Sequence, residues 1–132
     1  MVADDLDGDG RVDLLVTTFE AWPRAKQTLR VFKNTLAPTG NWIGFRLREQ
    51  GGGTSPAGSR VTLRLAGGTT VQQIVTGDSY RSQHANTVAF GLGRSERVES
   101  VEIQWNNGRK LTLPEPAVNR YHDIPAPAAN RK

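Results

Sequence analysis

The sequence predicts an all-β protein, an antiparallel β-sandwich preceded by a β-hairpin that carries a calcium loop. Apolar and polar residues alternate at period two in many short segments, and no segment has the periodicity of a helix. Glycine and asparagine pairs stand between segments, where tight hairpin turns require positive φ angles. Near the N-terminus, four aspartates surround two glycines at the spacing of an oxygen-ligated cation site.

The predicted calcium loop is Asp5–Asp13, and it offers oxygen atoms at near-alternate positions. Gly10 occupies the sixth position, where the loop reverses sharply. The twelfth position holds Val16 instead of a bidentate glutamate, so the loop is not an EF-hand. Asp4 adds negative charge near the site but is not a predicted ligand. The predicted ligands are the carboxylates of Asp5, Asp7, Asp9 and Asp13 and the backbone carbonyl of Arg11.

An aspartate-rich turn can also use its carboxylates only to bond neighbouring backbone amides. Four carboxylates this close in sequence would then repel one another without compensation. The ligand count and this repulsion favour calcium over the simple turn.

The hairpin is assigned to residues 1–34, because two apolar segments, Leu14–Thr18 and Leu29–Asn34, follow the loop. The sandwich is assigned to residues 42–124. Its apolar residues alternate along each strand, as in Ile43, Phe45 and Leu47, which predicts one buried face per strand. The predicted sandwich strands are Trp42–Glu49, Arg60–Ala66, Thr69–Val75, Thr87–Phe90, Ser100–Trp105, Lys110–Leu113 and Tyr121–Ile124.

Turn residues separate these strands. Gly67 and Gly68 predict a tight hairpin, and Asn106–Gly108 predict a second one. Trp105 alternates with core residues and is expected inside, whereas Trp22 lies in a polar loop and is expected outside. Residues 125–132 have no apolar pattern, and we expect a disordered tail.

Composition excludes several classes of protein. The chain has no cysteine and a net charge of +4, and after residue 13 it carries 16 bases against 8 acids. These bases are scattered, without a recognition helix or an RNA-binding signature, so nucleic acid is not an expected partner. No apolar run is long enough to insert into a membrane. No signal peptide is recognisable, and the chain reads as an excised fragment.

A second candidate site lies between two predicted strands, where hydroxyl, guanidinium, amide and imidazole groups gather. Such a mixture could bind a glycan hydroxyl or a carboxylate, but the same residues could also cap strand ends by bonding buried backbone groups. The capping interpretation is favoured, since nothing specifies a ligand. The candidate residues are Tyr80, Arg81, Ser82, Gln83 and His84.

Enzymatic signatures are missing from the sequence. No serine lies in a nucleophile-elbow motif, and the two histidines are too few for a zinc site without cysteine. The acids after Asp13 are scattered, which disfavours a paired-carboxylate glycosidase. We therefore expect a non-enzymatic protein.

Residues 3–14 resemble one FG-GAP (VCBS-type) repeat, the unit of integrin-like β-propellers. The remainder resembles the ASPIC/UnbV domain in five segments, and the two resemblances together cover most of residues 3–124. One departure is Asn106 after Trp105, where that family usually has proline. The five segments are Ser55–Val61, Gly77–Gln83, Phe90–Gly93, Val101–Gly108 and Asn119–Arg120.

The resemblance implies that the hairpin is a fragment of a propeller blade that binds calcium. An ASPIC/UnbV domain typically follows FG-GAP repeats in secreted or surface proteins such as the cartilage acidic protein family and its bacterial relatives. The implied function is calcium-dependent adhesion or scaffolding in a secreted, periplasmic or cell-surface protein. Implied partners are upstream propeller repeats of the same protein and an extracellular protein or glycan.

A propeller needs several blades, and only one motif is present. We therefore expect the apolar faces of the hairpin to repack on the sandwich and its calcium affinity to fall. One alternative function is a glycan- or polyanion-binding module that uses the basic strand faces. Another is a hydrolase accessory domain.

Overall fold

The computed structural model describes residues 1–49, 55–77 and 83–126. These residues form ten strands and no helix, which confirms the predicted all-β fold class. The strands are β1 Val2–Asp4, β2 Asp13–Glu20, β3 Lys26–Phe32, β4 Asn41–Arg48, β5 Arg60–Leu65, β6 Gly68–Gln73, β7 Thr87–Gly93, β8 Ser100–Gln104, β9 Lys110–Pro114 and β10 Tyr121–Pro125. Within the same ranges, no helix is long and apolar enough to cross a membrane.

The strands are arranged in three sheets. The first is antiparallel with the order β1-β2-β3, and it contains the predicted hairpin plus one short strand that the apolar pattern did not indicate. The second has the order β10-β4-β7 and the third the order β6-β5-β8-β9. The second and third sheets pack against each other as the sandwich, because every strand except the exposed β6 presents apolar side chains to the shared core.

The core is built from the alternating residues that the sequence indicated. Ile43 and Phe45 of β4, Val61 and Leu63 of β5 and Trp105 after β8 are fully or almost fully buried. Two tight turns are present: the predicted turn at Asn106–Gly108, and a turn at Ala66–Gly67, one residue before the predicted Gly67–Gly68. Leu65 pairs with Gly68 across the β5–β6 turn, and Gly108 has a φ of 82° in the β8–β9 turn.

One strand pair of the sandwich is parallel, although the sequence predicts an antiparallel arrangement. Strand β10 runs beside β4 in the same direction, with Tyr121 level with Gly44. The chain crosses between the two sheets after β9, and the Asn119 side-chain oxygen accepts a hydrogen bond from the Trp42 backbone N–H (3.0 Å). This bond places the start of β10 beside the start of β4, so β10 can only run in the same direction.

The end of the sandwich lies two residues beyond the predicted boundary. Pro125 belongs to β10, and Ala126 is buried with its N–H donating to the Arg48 carbonyl (3.1 Å). The lack of an apolar pattern predicts both residues to be part of the tail, and the structure corrects this prediction. Residues 127–132 of the expected tail and residues 50–54 of the glycine-rich loop lie outside the described residues.

The first sheet keeps an exposed apolar face, contrary to the expected repacking. Leu15, Thr17 and Phe19 of β2 share this face with Leu29 and Val31 of β3 through the strand register. Phe19 is 64%, Leu29 60% and Val31 58% exposed. The hairpin therefore contacts the sandwich through its loop and leaves this face open.

Candidate metal centre

The predicted calcium loop connects β1 to β2. Asp4 pairs with Asp13 as the last pair of these strands, so residues 5–12 project as a closed loop. Gly8 and Gly10 have φ angles of 79° and 86°, in the left-handed region that a residue with a Cβ rarely adopts. The two glycines turn the chain so that side chains from both ends of the loop converge.

Three carboxylates meet inside this loop. One oxygen from each of Asp5, Asp7 and Asp13 lies within 4.8 Å of the other two, and this cluster could hold a metal ion. Asp13 is only 3% exposed, which is rare for a carboxylate. The structure thus brings together three of the four carboxylates that the sequence predicts as ligands.

The fourth carboxylate, that of Asp9, is paired with a neighbouring guanidinium. Asp9 forms an ion pair with the Arg11 guanidinium and accepts the Arg11 backbone N–H (2.9 Å). The Arg11 guanidinium also donates to the Leu36 carbonyl (3.2 Å). This ion pair orients Arg11 toward the linker between the hairpin and the sandwich.

Backbone amides fix the positions of the two innermost carboxylates. Asp5 accepts hydrogen bonds from the N–H groups of Gly8 (2.8 Å), Asp9 (3.1 Å) and Gly10 (2.7 Å). Asp13 accepts from the N–H groups of Leu6 (3.1 Å) and Asn34 (2.7 Å). The alternative interpretation of an amide-bonding turn is therefore correct for these bonds. It does not account for the convergence of Asp7 on the same point.

Lys33 neutralises only part of the negative charge of the loop. The Lys33 ammonium forms an ion pair with Asp7, and this hydrogen bond lowers the pKa of Asp7 and raises the pKa of Lys33. Five aspartates lie at positions 4–13, and two bases, Arg11 and Lys33, form ion pairs with them. The Arg46 guanidinium of β4 also lies beside the loop, 4.0 Å from the position of a Cβ on Gly8, so the local net charge is −2. A bound divalent cation would offset this charge.

The sandwich also contributes to the loop. The Tyr121 hydroxyl of β10 donates to Oδ2 of Asp5 (2.8 Å). Burial and the hydrogen bond to the Asp5 carboxylate raise the pKa of Tyr121, so the hydroxyl stays protonated and remains a donor. Sequence reasoning missed this contact, because 116 positions separate the two residues and no local pattern connects them.

The second predicted site is described only in part. Tyr80, Arg81 and Ser82 lie outside the described residues. Gln83 is exposed, and half-buried His84 donates its backbone N–H to the Thr76 carbonyl (3.0 Å). This backbone bond of His84 does not involve the side chains that the capping interpretation concerns, so that interpretation stays a prediction.

The fold and the loop define an all-β module, and comparison with known proteins assigns it to a family. The family model described as "ASPIC and UnbV" matches residues 50–131, so the chain belongs to this family. The match begins after β4, although β4 pairs with both β10 and β7 in the sandwich. The family assignment confirms the resemblance stated for the larger part of the chain.

The chain is also similar to cartilage acidic protein 1. The Mus musculus protein is 30% identical over 111 residues, which is 84% of this chain and 17% of that protein. The Xenopus tropicalis protein is 30% identical over 125 residues, covering 93% of this chain and 19% of that protein. The Homo sapiens protein is 29% identical over 84% of this chain. The chain spans less than a fifth of the length of these curated relatives.

Proposed function

We propose that this chain is a non-enzymatic, calcium-binding module for adhesion or scaffolding in a secreted, periplasmic or cell-surface protein. The convergence of Asp5, Asp7 and Asp13 within 4.8 Å on a glycine-turned loop carries this proposal. The donor atoms are all oxygens, which suit a hard cation and do not suit zinc or copper. The family and the similarity to cartilage acidic protein 1 support an extracellular role.

The proposed ligands follow from the loop. Asp5, Asp7 and Asp13 supply three carboxylates, and the predicted carbonyl of Arg11 supplies a neutral oxygen. Asp9 remains in the proposed set, because its ion pair with Arg11 is partly exposed to solvent and therefore weak beside a divalent cation. Calcium is favoured over magnesium, because calcium accepts a larger and less regular shell of oxygen ligands, whereas magnesium requires a near-ideal octahedron.

We also propose that the hairpin is one FG-GAP repeat of a propeller. Its three-stranded sheet carries the loop at one end and an apolar face that the sandwich does not cover. Most of the length of the curated relatives lies outside this chain. Upstream repeats of the same protein are the proposed cover for this face, as stacked blades would provide.

The glycan- or polyanion-binding alternative has less support. Five basic side chains are engaged with acids in the described ranges, namely Arg11, Lys33, Arg48, Arg97 and Lys110. Trp105 is buried in the core and cannot serve as a stacking platform, whereas Trp22 is 86% exposed. Trp42 is half-buried against Gly10, so Trp22 is the exposed tryptophan that this alternative could use as a stacking platform.

Calorimetric titration with calcium tests the proposal. Extracellular calcium modules have dissociation constants of about 10⁻⁴–10⁻³ M, so the titration should extend to about 10 mM. The wild-type chain should bind one calcium ion, and Asp7→Asn should weaken binding at least about tenfold by removing one ligand charge. Asp7 is the suitable position, because it is the exposed member of the cluster and its loss disturbs the fold least.

Glu102→Gln is the matched control. Glu102 lies on β8 in the third sheet, and it also forms an ion pair with a lysine, Lys110 (3.1 Å). The substitution removes one charge away from the loop, so calcium affinity should not change. Negligible heat from the wild type, or equal affinity for the Asp7→Asn variant, would contradict the proposal.

A further inference from the structure

The calcium loop rests on one face of the sandwich at strands β4 and β10. Tyr121 donates to Asp5 on one side, and the indole ring of Trp42 covers Gly10 on the other. A Cβ at Gly10 would clash with that ring. The loop therefore needs glycine at this position for contact with the sandwich as well as for its φ of 86°.

Three residues of β4 hold Tyr121 in place. Its ring lies against Gly44, where a Cβ would collide with the ring. The Arg46 guanidinium stands 4.0 Å from the centre of the ring, at cation–π distance. The Trp42 ring is 4.9 Å away and tilted by 60°. The hydroxyl is thus aimed at Asp5 by packing from strand β4.

Asp5 is the residue at which the loop and the sandwich meet. Its Oδ1 accepts from the Gly8 and Asp9 amides, and its Oδ2 accepts from the Gly10 amide and from Tyr121. The loop amides come from the segment that must wrap a cation, whereas the Tyr121 hydroxyl comes from a strand of the rigid sandwich. The orientation of the Asp5 carboxylate therefore depends on the position of the loop relative to the sandwich.

We infer that Tyr121 is a positioning residue for the cation site, so that cation binding and docking of the loop on the sandwich are energetically coupled. The inference rests on the proposed calcium function. Partners that orient a metal ligand typically change affinity ten- to a hundredfold when they are removed. Coupling between two sites is reciprocal, so a bound cation also tightens the contact between loop and sandwich.

Tyr121→Phe tests this inference, because it removes only the hydroxyl and keeps the ring that packs on Gly44. Calorimetry with calcium should show an affinity about ten- to a hundredfold weaker than that of the wild type. Thr112→Val on β9 is the control, since it removes an exposed hydroxyl from the opposite sheet and should leave the affinity unchanged. A purely structural role of Tyr121 would lower the melting temperature without calcium and leave the affinity for calcium unchanged.

A double-mutant cycle with Asp5→Asn tests whether Asp5 is the residue through which Tyr121 affects calcium binding. In the Asp5→Asn background, Tyr121→Phe should weaken calcium binding by much less than in the wild type, because its acceptor has been altered. Fully additive effects would overturn the inference. So would equal calcium affinities for wild type and Tyr121→Phe, and in that case the proposed function would stand. Absence of calcium binding by the wild type would overturn both.

Hydrogen exchange of the wild type provides a test that needs no variant. Calcium should slow exchange in the loop and also at the amides of β10 (Tyr121–Pro125), because the cation tightens the contact through Asp5. Amides of β9 (Lys110–Pro114) serve as the internal control and should respond less. Protection confined to the loop would contradict the coupling, even if Tyr121→Phe proved unable to fold.

Discussion

At the scale of single residues, Gly10 and Asp5 each have two roles: one in the shape of the loop and one in its contact with the sandwich. Gly10 has a positive φ and also lies beneath the Trp42 ring. Asp5 organises the loop through three backbone amides and joins it to the sandwich through Tyr121. The sequence could predict the first role of each residue, since turn chemistry is local. The second depends on a strand more than a hundred positions away.

Gly10→Ala is expected to destabilise the protein by at least about 1–2 kcal/mol, because alanine disfavours a left-handed φ. The clash with Trp42 should add to this loss. Urea unfolding measures the difference. Gly67→Ala is the control, since a Cβ there meets no atom within 4 Å and its φ is not positive. Equal stability of the two variants would show that the described contact between loop and sandwich is wrong.

At the scale of elements, the sandwich and the hairpin differ in how well their apolar faces are covered. Every sandwich strand except β6 places apolar side chains in or against the core, with Ile43, Leu63 and Ile103 completely buried. The hairpin strands have the same alternation, but Phe19, Leu29 and Val31 remain exposed. An apolar patch of this kind usually marks an interaction surface.

Replacing Phe19, Leu29 and Val31 together by threonine should reduce both binding of a hydrophobic dye and self-association of the protein. Threonine removes most of the apolar area of the face and keeps the β propensity of the strands. Stability should change little, as these side chains bury little surface in this chain. Dye fluorescence and sedimentation measure the two effects.

Val71→Thr is the control for this triple variant. Val71 is a similarly exposed residue on β6, and it lies outside the hairpin face. Dye binding that falls as much for Val71→Thr as for the triple variant would contradict a specific surface on the hairpin.

Most of the elements could be predicted from the sequence, since many strands, such as β4, β5 and β8, carry a period-two pattern bounded by turn residues. Strand β1 has only three residues, Val2–Asp4, which is too short for a pattern. The parallel β10–β4 pair could not be predicted either. Its direction depends on the crossing after β9 and on the Asn119 contact with Trp42, and both are tertiary features.

The candidate site could be predicted to a similar extent. Alternation of aspartates identified Asp5, Asp7 and Asp13, and the structure brings their oxygens together. Spacing alone could not reveal that the Asp9 carboxylate forms an ion pair with Arg11. The spacing identifies Asp9 as a possible cation ligand, but it does not show that the guanidinium two positions away binds the same carboxylate. Nor could it reveal the roles of Tyr121, Trp42 and Gly44, which arise from packing between two sheets.

At the scale of the whole molecule, the charge distribution agrees with the proposed arrangement. The acidic loop carries a net charge of −2 when Arg11, Lys33 and the adjacent Arg46 are included, and the remainder of the chain is basic. The loop is therefore the place where a cation is attracted despite the overall charge of +4. A cation bound there would connect the hairpin to the sandwich through Asp5 and Tyr121.

A crystal structure of this chain grown with calcium, with an anomalous difference map, tests the central claim most directly. The account predicts one strong peak within about 2.3–2.6 Å of carboxylate oxygens from Asp5, Asp7 and Asp13, with the Tyr121 hydroxyl still bonded to Asp5. The Lys33 ammonium should have moved away from Asp7. A map without a peak in the loop at about 10 mM calcium, with Lys33 still paired to Asp7, would contradict the account.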